Sequence, residues 1–299
     1  MRTSEAYVKQ LAGLYRMAQT RPVRVIAVTS GKGGVGKTNV STNLAVSMAM
    51  DGNDVLLMDA DMGLANVDVL LGLQPLYNLS HVISGMRTVE EIMITGPGNL
   101  KVIPASSGIA DMADLSEAEH AGLIRAFSEL SFNPQVLMID TPAGIANSVV
   151  TYTRAAHEVI VVVCDEPASI TDAYAMIKLL NRDHGIARFR ILANMVHSTQ
   201  EGVDLYKKLV RVSDRYLDAT LDYIGAIPFD EYLRKAVQRQ KVIVEAYPRS
   251  KSALAFKKAA GKVMQWPVPD SARGCIEFFV ERLFKGKEED TTVTMDNRL

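Results

Sequence analysis

Residues 31–38 read GKGGVGKT, directly after the apolar run VRVIAVTS (23–30). This is the pattern G-x-x-x-x-G-K-[ST] in a strand–loop–helix setting, a phosphate-binding loop, and it asks for an α/β fold around it. The residue types follow from the chemistry. Gly31, Gly33, Gly34 and Gly36, with Val35 among them, let backbone N–H groups turn inward on an anion with no Cβ in the way. Lys37 neutralises terminal phosphates. Thr38, followed by Asn39, places a hydroxyl on Mg²⁺ at the positive end of a helix. An ordinary loop of this kind needs only Lys37. Lys32 is a second lysine where the chain wraps tightly around a polyphosphate, so it is either solvated or meets an anion of its own.

Further β-rich runs lie at 54–60, 99–105, 135–141, 158–165, 188–195 and 223–228. They are near-continuous in Val, Ile and Leu rather than alternating, as expected for strands buried on both faces of a parallel sheet. The sequence therefore predicts α/β architecture: a doubly wound, mainly parallel sheet of about seven strands with helices on both faces. SEAE (116–119) and SITD (169–172) read as capping boxes that open two of the helices. The expected organisation is an N-terminal helical docking segment (1–21, helix over 4–19) and an ATPase domain (22–265). An amphipathic helix region (266–286) and a flexible tail (287–299) would follow.

In such a sheet, ligands sit at the C-terminal ends of the strands, which singles out certain carboxylates. Asp59 and Asp61 stand two residues apart and leave the second strand on the same side. One suits a metal-bound water and the other the attacking water. Asp140 ends VLMID and suits the water shell of Mg²⁺. Thr38, Asp59 and Asp140 are thus the candidate Mg²⁺ residues, and DTPAG after Asp140 reads as a turn that senses the terminal phosphate. Asp51 and Asp68 read as cap or turn residues.

Composition excludes several classes. The net charge of the 299 residues is −1, which argues against direct nucleic-acid binding. The longest apolar runs fall far short of the ~20 residues of a spanning helix, and the N-terminus lacks a signal-peptide core. Two cysteines, Cys164 and Cys275, with no CxxC, cannot build a disulfide framework or a cluster within one chain. The chain therefore reads as cytoplasmic, with inert thiols. His184 and His197 have no metal-ligand spacing, and Arg234, Lys235, Arg239 and Lys241 read as a solvated helix face.

KGGVGKT with its extra lysine resembles the deviant phosphate loop of the MinD/ParA ATPases, and DADMGLANVD and IDTPAG resemble that family's two switch regions. The segments 164–185, 234–256 and 266–283 extend the likeness to the flagellar-number regulators of the FlhG/FleN group, over nearly the whole chain from residue 22. The resemblance implies a Mg²⁺-dependent ATPase that dimerises with ATP, Lys32 reaching across to the partner's nucleotide. It implies Asp61 as the catalytic aspartate, acting with Lys32 and Lys37, and Asn194, Pro228 and Asp230 in the adenine-binding segments. It also implies restraint of flagellar number at the cell pole through a FleQ-type transcription activator and an FlhF-type GTPase. The group's N-terminal D-Q-A-x-x-L-R motif is altered here: Gln10, Leu14 and Arg16 align, but a lysine replaces the leading Asp.

In CIEFFVERLFKGK, residues Ile276, Phe279, Val280, Leu283 and Phe284 form one apolar stripe. Two readings stand: a reversible membrane-contact helix over 275–285 at the inner face of the cell membrane, or a helix packed on the domain. A helix stowed without ATP and released on dimerisation would reconcile them. For function, the alternatives are division-site selection or cargo partition within the same family, and an ATP-using metabolic enzyme outside it. The missing CxxC speaks against an iron–sulfur carrier.

Overall fold

The run RVIAVT forms the central strand β1 (Arg24–Thr29), every residue of it buried. Burial on both faces follows from position. Val25 and Ala27 pack into one layer of core and Ile26 and Val28 into another, because successive side chains of a strand point to opposite faces. The computed structural model describes residues 22–61, 66–105, 117–267 and 280–281. The other strands are β2 (Val55–Asp59), β3 (Ile94–Thr95), β4 (Lys101–Ile103), β5 (Val136–Asp140), β6 (Glu158–Cys164), β7 (Arg188–Val196) and β8 (Thr220–Pro228). They form one eight-stranded sheet in the order β3-β4-β2-β5-β1-β6-β7-β8. Every pairing is parallel except β3 on β4. The expected doubly wound parallel sheet is present. The strand beyond the expected seven is β3, two residues too short to leave a pattern in the sequence.

Helix α1 (Lys37–Met50) follows the phosphate loop, and α2 (Val67–Leu71), α3 (Leu79–Ile83) and α4 (Val89–Ile92) come after β2. Helices α5 (Glu117–Ser128), α6 (Asn147–Ala155), α7 (Pro167–Arg182) and α8 (Thr199–Tyr216) connect the later strands. Helices α9 (Glu231–Gln238), α10 (Ile243–Ala246) and α11 (Lys251–Met264) close the domain. On one face α1, α10 and α11 cover the sheet, with Leu44, Ile243 and Phe256 fully buried. On the other, α3 to α6 bury Leu79, Leu123 and Tyr152, and α7 and α8 bury Met176, Leu180, Leu205 and Leu209. Burying such a side chain contributes about 1.5–3 kcal/mol.

One buried residue couples the phosphate-loop helix to the C-terminal part. Asn43 Nδ2 donates to the Asn39 carbonyl (2.8 Å), and its Oδ1 accepts from the N–H groups of Ile243 (3.0 Å) and Val244 (3.4 Å). Helix α10 has no side-chain cap of its own, so Asn43 satisfies N–H groups that would otherwise be orphaned.

Two expectations on local structure change. SITD does not open a helix: α7 begins earlier, at Pro167, where a proline costs no intrahelical hydrogen bond. Ser169 therefore lies in the first turn, and its Oγ accepts from the Cys164 N–H (3.1 Å). Of SEAE, Ser116 lies outside the described residues, as does the expected helix over 4–19. Asp51 is the C-cap of α1, and Asp68 accepts from the Val69 N–H (2.7 Å), as expected of cap and turn residues. Of the C-terminal stripe only Val280 is described, and it is 1% exposed within the core that holds Leu79, Leu123, Phe127 and Tyr152. At that residue the packed reading holds. Among the described residues no helix is long and apolar enough to cross a membrane.

Candidate functional site

The sheet register brings the acidic strand ends together. Asp59 and Asp140 are directly paired across β2 and β5, and Asp140 is also paired with Val28 of β1, three residues before the phosphate loop begins. Asp140 is fully buried and gathers three donors: Lys37 Nζ (2.9 Å), Ser41 Oγ (2.9 Å) and Thr38 Oγ1 (2.7 Å). Lys37 and Ser41 are four residues apart and share a face of α1, so one helix turn supplies both. Asp59 caps the chain that follows it: Oδ1 accepts from the Asp61 N–H (3.1 Å), and Oδ2 from Asn66 (3.1 Å) and Val67 (3.2 Å). Burial, and then the nearby Asp140 charge, push the Asp59 carboxyl up to about 7, against the three backbone N–H groups that favour its ionised form. A divalent cation beside the pair would relieve both costs at once.

In front of these residues lies a cleft of about 490 Å³ lined by Gly33, Gly34, Gly36, Lys37, Thr38, Asn39 and Asp61. Met195 and Val237 flank it, and Ala143 of the DTPAG turn reaches it. The loop's shape depends on glycine where the backbone is left-handed: φ is +83° at both Gly34 and Gly36. A Cβ on Gly36 would stand 2.6 Å from Asn194 Nδ2. Gly31 is required by close packing, since a Cβ there would stand 2.2 Å from the Asp172 backbone at the start of α7. Buried Asn194 donates from Nδ2 to the Val35 carbonyl (2.7 Å), while its Oδ1 has no partner; the same is true of Asn39 Oδ1. Two orphan acceptors, a glycine cradle, a buried lysine and paired carboxylates suit Mg²⁺ and a nucleotide with an amino-bearing base.

Lys32 does not line this cleft. Its Nζ lies at the rim, bonded to Glu166 at the N-cap of α7 (2.8 Å), and that hydrogen bond holds the ammonium above the usual lysine range. Pro228 and Asp230 are not brought to the cleft either. Pro228 lines a separate groove. Asp230 caps α9 through the Tyr232 N–H (2.9 Å) and accepts from Ser252 N–H (3.0 Å) and Oγ (2.9 Å). Burial opposes its ionisation, but these bonds outweigh it and hold the carboxyl below the usual range. Of the first switch segment, residues 62–65 lie outside the described residues. Sequence reasoning did not find Ser41, Glu166 or Met195. Ser41 was within reach through its four-residue spacing from Lys37; Glu166 and Met195 come from distant strand ends and carry no local signal. Cys164 is buried, which pushes its thiol up to about 11, as expected of an inert cysteine.

The comparisons with known proteins agree with this geometry. The ParA family model, described as NUBPL iron-transfer P-loop NTPase, matches residues 22–264. Antiactivator FleN of Pseudomonas aeruginosa is 60% identical over 268 residues, covering 90% of this chain and 96% of that protein. The flagellum site-determining protein YlxH of Helicobacter pylori is 33% identical, covering 80% of this chain and 81% of that one. Among solved structures, the septum site-determining protein MinD of Pyrococcus horikoshii, complexed with Mg-ADP, is 26% identical. It aligns with a TM-score of 0.65 over 81% of this chain and 96% of that one. The loop, the paired carboxylates and these relatives together place the chain in the ParA/MinD family of P-loop ATPases, alongside FleN, as an enzyme that uses ATP and Mg²⁺.

Proposed function

We propose that this chain is an ATP-gated dimerising switch that restrains flagellar number and placement at the cell pole. Its output would pass through a FleQ-type transcription activator and, with the altered N-terminal motif, through weaker coupling to an FlhF-type GTPase. The carrying observation is the position of Lys32. It belongs to the phosphate loop, yet its ammonium stands outside its own cleft, held at the rim by an exposed glutamate. Paired within its own chain only with Glu166, a cation so placed would meet a phosphate if a second copy brought its nucleotide to that rim. FleN and YlxH, by their names an antiactivator and a flagellum site-determining protein, support the output.

Bound Mg-ATP supplies the phosphoanhydride to be cleaved and the divalent charge that offsets it. The rest falls to the chain. Lys37, now bonded to Asp140, would hold the terminal phosphates, and Thr38 would give its hydroxyl to the cation. Asp140 and Asp59 would hold the water shell of that cation. Asp61, on the cleft wall, positions the attacking water. Asn194, packed behind Gly36, would offer its unpartnered oxygen to the base. Membrane contact at the pole would require Val280 to leave the core, which ATP-driven dimerisation would have to drive.

Light scattering with ATP and with ADP, on Asp61→Ala and on Asp61→Ala/Lys32→Ala, tests the switch. The expected result is a dimer only with ATP and only while Lys32 is present. A monomer in every condition would leave Lys32 a solvated lysine and bring the metabolic-enzyme alternative forward. Co-sedimentation with anionic liposomes, unchanged between ATP and ADP, would refute nucleotide-gated release of the C-terminal helix.

A further inference from the structure

The chain carries a net charge of −1, but its charges are not evenly spread. Residues 230–262 hold nine lysines and arginines against three carboxylates. Part of this surplus lines a groove of about 450 Å³, separate from the nucleotide cleft. One wall is α11, whose Lys251, Lys258 and Lys262 all line the groove, with the small residues Ala255 and Ala259 between them. Along a helix these lysines span roughly 16 Å, at 1.5 Å per residue. The opposite wall is the start of α8, from His197 to Thr199, where a helix N-terminus adds partial positive charge. The floor is β8, bare at Gly225, where φ is +155° and the register with β7 slips by one residue.

None of the three lysines meets a carboxylate among the described residues. The acids next to the groove in sequence are committed elsewhere. Glu201 accepts from the His197 N–H (2.9 Å), and Asp230 is held by Tyr232 and Ser252. The floor is an edge strand, but it is not open for an added strand: the Leu221 carbonyl accepts from the Tyr206 hydroxyl (2.7 Å) and the Ile224 carbonyl from Lys262. Whatever fills the groove is therefore held by side chains rather than by a backbone ladder.

We propose that this groove is a docking site for an acidic, extended peptide segment of a partner protein. Charge complementarity selects the occupant. A single phosphate would use one lysine and the helix end, leaving the other two lysines of the ~16 Å row without an anionic partner. A flat anionic surface could meet the exposed ends of Lys251, Lys258 and Lys262, but it would leave the floor of β8 and the start of α8 between the walls unfilled. Carboxylates on alternate residues of an extended segment stand about 7 Å apart, so roughly three of them span the lysine row.

The test uses the full chain and a fluorescein-labelled peptide of alternating Glu and Ala with glycine ends, read by fluorescence anisotropy. Binding should weaken with salt and fall about tenfold in Lys251→Gln/Lys258→Gln, two surface-type charge contacts being lost. The control pair Lys178→Gln/Lys207→Gln should bind as the wild type does. ATPase activity should be unchanged in both, and hydrogen exchange should slow at residues 196–199 and 223–228 when peptide is added. No binding by the wild type, or equal loss in the control pair, would overturn the proposal. So would binding of phosphatidylglycerol vesicles or inorganic phosphate, but not peptide, with the same dependence on Lys251 and Lys258.

Discussion

Lys37 and Asp140 form a buried, tightly coupled pair in the nucleotide-free protein, and a double-mutant cycle can measure the coupling. Their side chains are 7% and 1% exposed, and Nζ lies 2.9 Å from Oδ1. Asp140→Ala leaves the lysine buried without a counter-ion and strips Ser41 and Thr38 of their acceptor. Losing one partner of such a pair costs about 3–5 kcal/mol. The same change relieves the repulsion that helps push Asp59 up, so the expected loss is at the lower end, about 3 kcal/mol. Lys37→Met leaves two facing carboxylates, Asp59 and Asp140, with no cation between them, and should cost at least as much. Lys37→Met/Asp140→Leu removes both charges and should cost only about 1 kcal/mol, because well-packed apolar replacements of a buried ion pair are often near neutral. The cycle should therefore return an interaction of about 5 kcal/mol or more. Urea denaturation at neutral pH gives the numbers, with the single tryptophan as reporter: Trp266 lies under the Arg190 guanidinium (4.6 Å) and loses that contact on unfolding. A cost below about 1 kcal/mol for Asp140→Ala, or additive single mutants, would mean that solvent rather than Asp140 satisfies Lys37.

Three further expectations are as direct. The Asp59 carboxyl is raised to about 7 from the ordinary 3.8, so its stabilising share is full below pH 3.8 and is lost as pH rises through about 7; the stability difference between wild type and Asp59→Asn should follow that window, and saturating Mg-ADP should flatten it. Gly202→Ala would place a Cβ 2.7 Å from both Ala226 Cβ and Tyr223 Oη, so forcing α8 off the sheet should cost about 1–3 kcal/mol in the same urea assay; an unchanged midpoint would show that this packing yields freely. Glu166→Gln removes the charge that holds Lys32 within its own chain, so sedimentation should show the ATP dimer forming at lower nucleotide concentration, with the ADP form still monomeric; an unchanged ATP dependence would show that Glu166 does not compete for Lys32.

Much of the site was legible in the sequence because its parts obey local rules. The phosphate loop is eight consecutive residues whose glycines and Lys37 are explained by their own geometry. Asp59 and Asp140 end apolar runs, and a buried parallel sheet sends strand ends to one side, so their place on the ligand side could be expected; that they are directly paired follows from the adjacency of β2 and β5. Ser41 lies on the same rule, one helix turn beyond Lys37.

Other features have no local rule. Glu166 reaches Lys32 across 134 positions of sequence, and only the adjacency of β1 and β6 in the sheet order makes them neighbours. Asp230 looks like part of a nucleotide-binding turn, but the fold commits it to Ser252 and the start of α9. SITD carries capping residues, but Pro167 fixes the helix start three residues earlier and turns Ser169 into an acceptor for Cys164. The apolar stripe near the C-terminus fits a membrane or a core equally well, and it is the seat of Val280 beside Leu123 and Tyr152 that favours the core. The sequence by itself determined what is carried by neighbours along the chain: the loop, the buried strands and the carboxylates that end them. Tertiary structure alone decided which distant charges meet, which stay unpaired, and which apolar face is covered, because these depend on the order of strands in the sheet and not on the order of residues in the chain.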